Sequence, residues 1–307
     1  MSRQPTSDDR MKNVRAVAEL RAALAPARRE GLTIGLVPTM GALHAGHLSL
    51  IGRAREQCEV VVVSLFVNPA QFNERSDLER YPRRLQRDSE LAAAAGADLL
   101  FAPSAEEVYP PGFATSVEVL GLTDRLEGEV RGAEHFRGVT TVVTKLLSMA
   151  QPDIAYFGQK DAQQVVVIRR LITDLNLPVR IEVCPTVREP DGLAMSSRNA
   201  RLSPTERAQA LALPAALRAA RDRVAAGERS AAALLEAARE ALSAAGVEPE
   251  YVALVDPETL EPCPTLVRDS LLAVAARIGG VRLIDNMVLQ PREQLFPAQA
   301  PEREAIA

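Results

Sequence analysis

The sequence of 307 residues is poor in the residue types that most often announce a chemistry. Its three cysteines, Cys58, Cys184 and Cys263, are far apart and odd in number. They fit neither a disulfide framework nor the paired spacing of a zinc site, and a reduced, cytoplasmic setting is expected. Cys58 and Cys184 lie beside or inside apolar runs and read as core residues rather than nucleophiles. No C-x-x-C, H-E-x-x-H or G-x-S-x-G occurs, which excludes a redox dithiol, a zincin and a nucleophile elbow. No apolar stretch approaches the roughly 18 residues that cross a bilayer, so no membrane partner is expected. Met1 to Met11 is polar and lacks the apolar core of a secretion signal. The formal net charge is −4, so the basic footprint of a nucleic-acid binder is missing.

Lysine and histidine are also scarce. Of 36 cationic residues only Lys12, Lys145 and Lys160 are lysines, and the histidines are His44, His47 and His135. What is plentiful is ordinary globular material, 47% hydrophobic and 25% charged. The length suits one large domain or two of medium size, each able to bury a core.

The hydrophobic pattern alternates between two periods. Residues 14–30 read as an amphipathic helix through Val14, Val17, Leu20 and Leu24. Leu32 to Val37 reads as a strand closed by Pro38, and 39–46 as a glycine-containing loop. A helix is expected from His47 to Gln57, and the β-branched run Val60 to Val67 suits a strand buried on both faces. Strand, helix and strand within about 35 residues require a parallel pair. The alternation continues: helix 85–95, strand 98–102, helix 140–149, strand 154–157, helix 163–175, strand 179–187. This is the pattern of an α/β fold, a Rossmann-like doubly wound parallel sheet. Past residue 187 the texture changes. Ser203, Pro204 and Glu206 form a capping box, alanine-rich helices fill 205–245, and strand-like runs follow at 251–255, 271–278 and 281–284. Gly279-Gly280 suits a tight hairpin turn. We expect a first domain at 1–186 and a smaller α+β domain at 187–307, with a polar tail frayed after about 291.

Four segments carry candidate chemistry. Pro38-Thr39-Met40-Gly41-Ala42-Leu43-His44-Ala45-Gly46-His47 leaves the first strand at the sheet edge where α/β proteins bind ligands. Its glycines admit a ligand close to the backbone, and the following helix start offers unpaired N–H groups to an anion. It is not a Walker A loop, because His47-Leu48 stands where Lys-Ser/Thr would follow. Two imidazoles three residues apart can face one phosphate, and a bound polyphosphate would favour their charged form. Phe157-Gly158-Gln159-Lys160-Asp161 lies on the same edge, with Lys160 as a point charge for phosphate and Asp161 as helix cap or ribose acceptor. Met195-Ser196-Ser197-Arg198-Asn199 supplies hydroxyls and a guanidinium for a phosphate clamp, and leads into the second domain. Asn68 and Gln71, in Val67-Asn68-Pro69-Ala70-Gln71-Phe72, can read hydroxyls or a carboxylate, with His135 joining from a loop. Each segment alone also reads as capping or turn chemistry.

The H-x-G-H element at 44–47 resembles the nucleotidyltransferase superfamily. Together with V-N-P-A-Q-F (67–72), Y-F-G-Q-K-D (156–161) and M-S-S-R-N (195–199), the longer string P-T-M-G-A-L-H-A-G-H (38–47) resembles the pantoate–β-alanine ligase family, in order from about 11 to 290. The resemblance implies an ATP-dependent condensation of pantoate with β-alanine through a pantoyl adenylate, giving pantothenate, AMP and diphosphate. It implies Mg²⁺ with the ATP and a homodimer. Carried over by motif, Met40, Gly41, Ala42, Leu43, His44, Ala45, Gly46 and His47 cradle ATP, as do Gly158, Gln159, Lys160 and Asp161. Val187 packs near adenine, and Met195, Ser196, Ser197 and Arg198 complete the clamp. His44, His47, Lys160 and Arg198 are the catalytic candidates, with His47 the family's proposed proton donor. Gln71 and Gln164 bind pantoate, beside Asn68 and His135. Ala45 and Gln159 depart from the acidic residues common at those positions, and Asp88 is a candidate to help hold Mg²⁺. Two other readings stay open: a nucleotidyltransferase whose product keeps the nucleotide, and a nucleotide-binding regulatory protein without turnover.

Overall fold

Six strands line up in the order β1-β4-β3-β2-β5-β6, and every pairing is parallel. They are β1 (Lys12–Val14), β2 (Ile34–Thr39), β3 (Val60–Leu65), β4 (Leu99–Phe101), β5 (Ile154–Gly158) and β6 (Arg180–Cys184). This computed structural model describes residues 11–73 and 75–291. The N-terminal segment before Met11 and the tail expected to fray lie outside the described residues. The helices between the strands are α1 (Val17–Glu30), α2 (Ala45–Gln57), α3 (Arg75–Arg80), α4 (Leu85–Ala94), α5 (Ala105–Val108), α6 (Glu127–Arg131), α7 (Ala133–Ala150) and α8 (Ala162–Asp174). β2 and β3, where the β-branched residues concentrate, run side by side from Ile34 opposite Val60 to Thr39 opposite Leu65. Leu36, Val37, Val61, Val62 and Val63 are essentially inaccessible, as central strands covered on both faces must be.

The strand order reverses at β2. The chain steps outward from β2 to β3 and β4, while β5 pairs with β2 on the other side, Gly35 opposite Ile154. The crevice outside the carboxyl ends of β2 and β5 is therefore the topological switch point, the preferred ligand position in an open α/β sheet. The segments after β2 and after β5 both leave the sheet there.

After β6 come α9 (Pro204–Ala210), α10 (Ala212–Ala225) and α11 (Ala231–Ala244), then an antiparallel sheet β7 (Pro249–Val255), β8 (Ser270–Ile278) and β9 (Val281–Leu289) in the order β7-β8-β9. Ser203 accepts from the Glu206 amide and Glu206 accepts from the Ser203 amide, the capping box read from the sequence. Leu213, Leu217, Leu234 and Leu242 from the helices pack on Leu254, Leu272 and Val274 of the sheet. On the opposite side Leu271 and Ala273 meet Leu126, Ala162 and Val166, so an apolar seam joins the two sheets.

Several expectations need correction. Val14, expected to open α1, instead ends the edge strand Lys12–Val14 that pairs with β4, and α1 starts at Val17; the strand is too short to show a period. β2 continues through Pro38, and α2 starts two residues earlier than His47 because His44 caps it. α7 begins at Ala133, so His135 sits in its first turn and not on a loop. Gly138 hid those turns from the pattern. A Cβ there would lie 2.2 Å from the Ala70 carbonyl oxygen, so the glycine admits a close backbone crossing rather than a break.

Candidate active site at the switch point

The loop after β2 is held from below by a buried carboxylate. Asp88 of α4 is 1% exposed and accepts from the amides of Ala42 and Leu43, each at 2.8 Å. Those bonds stabilise a backbone that needs help: Gly41 has φ 88° and Ala42 φ 52°. The carboxylate considered for Mg²⁺ thus shapes the loop. Thr39 anchors the start, donating to the Ser64 carbonyl oxygen at 2.8 Å.

His44 and His47 follow as a stacked pair, ring centroids 4.0 Å apart. His44 Nδ1 accepts from the Gly46 amide at 3.2 Å, and His47 Nδ1 accepts from the His44 amide at 3.4 Å. With both Nδ1 atoms accepting, the network assigns the proton of each neutral ring to Nε2. Burial lowers the His44 pKa to about 4, with the Lys160 ammonium adding to the effect. Burial, then the neighbouring His44 and Lys160, lowers His47 to about 3. Without ligand both rings are neutral donors at pH 7.

Beyond β3, Asn68 opens the turn Pro69–Gln71. Asn68 is 1% exposed, and its amide is fully engaged. It donates to Gln71 Oε1 and the Gly138 carbonyl oxygen, each at 3.0 Å, and accepts from Tyr109 Oη at 2.8 Å and the Ala70 amide at 3.3 Å. It orients Gln71 and has no hydrogen-bonding position left for a substrate. His135 braces the same turn, its Nδ1 2.7 Å from the Gln71 carbonyl oxygen, and burial lowers its pKa to about 4. Gln71 Nε2 reaches Met40 Sδ at 3.0 Å. Gln71, Gln164, Met40 and His47 face a cavity of about 220 Å³ whose far wall is Val139, Val142, Val143 and Phe157.

The turn after β5 carries Gln159, Lys160 and Asp161. Its backbone is fixed by the second sheet: Asn286 of β9 donates to the carbonyl oxygens of Gln159 and Lys160 at 3.0 and 2.9 Å. Gln159 donates in turn to Asn286 Oδ1 at 3.1 Å, a bond that a carboxylate at 159 could not make. Lys160 Nζ lies 3.8 Å from Asp161, which heads α8 without capping it through its side chain. Arg198 and Arg201 both reach Asp77 of α3 at 3.1 Å. Lys160, Asp161, Ser196 and Arg198 line a second, wider cavity of about 330 Å³. Glu127, Arg131, Lys160, Asp161 and Arg198 line both spaces, so the two adjoin along a shared wall.

The geometry thus gathers Met40, His47, Gln71, Lys160, Asp161, Gln164, Ser196 and Arg198 from segments distant in sequence. His44 adjoins through its stack on His47. Val187, Met195 and Ser197 line neither space; the Met195 amide donates to the Val187 carbonyl oxygen at 2.9 Å and closes the hairpin behind the clamp. Sequence reasoning missed Asp77, Glu127, Arg131, Arg282 and Asn286. Arginine is so common in this chain that Arg131 and Arg282 carried no signal, and α6 is too short to show a period. Among the described residues no group of three or more His, Cys, Asp or Glu gathers at metal-binding spacing. No described helix is long and apolar enough to cross a membrane.

Comparison with known proteins agrees with this arrangement. The family model for pantoate-beta-alanine ligase matches residues 12–288. A pantothenate synthetase of Moorella thermoacetica is 53% identical over 91% of this chain and 99% of its own. One from Heliobacterium modesticaldum is 54% identical over 91% and 100%. The crystal structure of pantothenate synthetase from Thermus thermophilus superposes with a TM-score of 0.87 at 50% identity, covering 92% of this chain and 100% of that one. A pantoate-beta-alanine ligase from Francisella tularensis, complexed with beta-gamma ATP and beta-alanine, gives a TM-score of 0.76 at 36% identity over 91% and 97%. With the ordered motifs converging on one crevice and relatives matched nearly end to end, the chain belongs to the pantoate–β-alanine ligase family.

Proposed function

We propose that this protein joins pantoate to β-alanine with Mg-ATP, in two steps at the junction of the two cavities. The observation that carries the reading is the wall they share. A smaller space with paired glutamines and His47 adjoins a larger, arginine-rich one along Lys160 and Arg198. Such a junction places a small hydroxy acid against a nucleotide α-phosphate. In the first step a pantoate carboxylate oxygen bonds to the α-phosphorus and the bond to diphosphate breaks. In the second the β-alanine amine attacks the acyl carbon, the bond to AMP breaks, and the amine proton is released. No protein nucleophile is needed, so positioning and charge stabilisation supply the rate.

The roles follow from placement. Gln71 and Gln164 hold pantoate, with Asn68 and His135 keeping Gln71 in place. Residues 40–47 and Gly158–Asp161 cradle the nucleotide, Val187 lies toward adenine, and Met195–Arg198 form the clamp. His47 offers its Nε2 proton to a phosphate oxygen, and Lys160 meets the charge that develops there. Mg²⁺ would come with the nucleotide, take most of its ligands from phosphates and water, and offset phosphate charge. Residues 1–186 bind ATP and pantoate, while 187–307 act as the lid. We place the enzyme in the cytoplasm as a homodimer.

Mass spectrometry of products with Mg-ATP, pantoate and β-alanine, each omitted in turn, tests the reading. Pantothenate and AMP should form only in the complete mixture, and pantoyl adenylate should accumulate without β-alanine. A product that retains the nucleotide in the complete mixture, or ATP binding without turnover, would contradict it.

A further inference from the structure

Most of the cations around the wide cavity are already paired. Arg198 and Arg201 share Asp77, Arg282 holds Glu127 and Glu250, Arg277 lies near Glu250, and Lys160 is beside Asp161. Arg80 is exposed to water, whereas Arg131, the last residue of α6, is not. It is half-buried and faces both cavities, and among the described residues its guanidinium has neither a hydrogen-bond acceptor nor a carboxylate within ion-pair distance. The nearby carboxylate of Glu127 is engaged by two Arg282 nitrogens and by Tyr251 Oη at 2.7 Å. Burial destabilises the Arg131 cation, Glu127 and Asp161 offset part of that, and the Arg198 and Arg282 charges add to it. A partly desolvated guanidinium with no described carboxylate at ion-pair distance gains when an anion joins it.

We propose that Arg131 receives the carboxylate of β-alanine and so selects an amino acid over a plain amine as second substrate. The inference rests on the function proposed above. Three anions enter that reaction. The pantoate carboxylate becomes the adenylate and lies among Gln71, Gln164 and Met40. The phosphates have Lys160 and Arg198. Only the β-alanine carboxylate stays ionised throughout, and it must lie two methylenes from an amine aimed at the acyl carbon. Arg131 stands where the two cavities join, which is where that carbon forms. A guanidinium pairs with a carboxylate through two parallel N–H donors, which fixes orientation as well as charge.

The test separates the half-reactions. In Arg131→Ala, KM for β-alanine should rise roughly 10–100-fold, the range expected when a charged hydrogen bond is lost. Pantoate-dependent release of diphosphate in the first turnover should stay within about twofold, because that step does not use the group. Wild type should prefer β-alanine over β-alaninamide, which lacks the negative charge, and the variant should lose most of that preference. Arg131→Lys should restore part of it. A raised KM for ATP or a slowed first half-reaction would make Arg131 a phosphate ligand and overturn the inference. Unchanged discrimination between β-alanine and its amide would overturn it as well. If wild type made no pantoyl adenylate at all, the proposed function would fail first.

Discussion

Two imidazoles opening a helix beside a lysine are neutral here because burial opposes their charge, and the consequence reaches stability. His47 and His135 have native pKa values near 3 and 4, whereas an unfolded histidine titrates near 6.5. Between those values the unfolded chain takes up protons that the native state refuses. Stability is therefore full above about pH 6.5 and falls as the pH drops toward 4, by about 1 kcal/mol per histidine between pH 7 and 5.5. Urea midpoints across that range should fall, and His135→Gln should flatten the slope; a flat wild-type profile would contradict the burial argument. At the same scale, Lys160→Ala should lower kcat by about 10²–10³-fold, as when one preorganised charge on the transition state is removed. Gln71→Ala should raise the KM for pantoate, and a change confined to the KM for ATP would reassign it.

Elements explain why those side chains are held so firmly, and which of them the sequence could reveal. The β-branched runs made β2 and β3 readable, and the ordered motifs placed His44, His47 and Lys160 on one sheet edge and Arg198 on the loop leading into the second domain. What could not be read was support from a distance. Asp88, 46 residues beyond Ala42, was a candidate for the metal, and its place as the brace of the Ala42 and Leu43 amides could not be read from the sequence. Removing its carboxylate leaves the Ala42 and Leu43 amides without their acceptor. Asp88→Ala should cost about 1–3 kcal/mol and raise the KM for ATP as the loop relaxes. Thermal melts with and without ATP check this, and an unchanged variant would return Asp88 to its other candidate role. Gly138 is the same lesson in reverse. It looks like a helix breaker in a list of residues, yet it lets α7 cross the Pro69–Gln71 turn, so Gly138→Ala should impair pantoate binding.

Across the whole molecule, the second sheet is part of the site. Arg282 of β9 bridges Glu127 of α6 and Glu250 of β7, and all three are largely withdrawn from water. Arg188 pairs with Asp285, and Asn286 fixes the Lys160 backbone, so three stations on β9 hold segments beside the two cavities. Periodicity showed β9 as a strand but not what it would hold, because these partners are up to 155 residues apart. Arg282→Ala leaves Glu127 buried without its counter-charge and should cost about 3–5 kcal/mol, read by urea unfolding; a near-native midpoint would mean the pair contributes little. The central claim is that the crevice at β2 and β5 activates a carboxylate by adenylation. Pantoate labelled with ¹⁸O in both carboxylate oxygens tests it most directly. The oxygen that attacks phosphorus must leave with AMP, so every AMP formed should carry one labelled oxygen and pantothenate should keep the other. Unlabelled AMP, or label appearing in inorganic phosphate alongside ADP, would contradict the account.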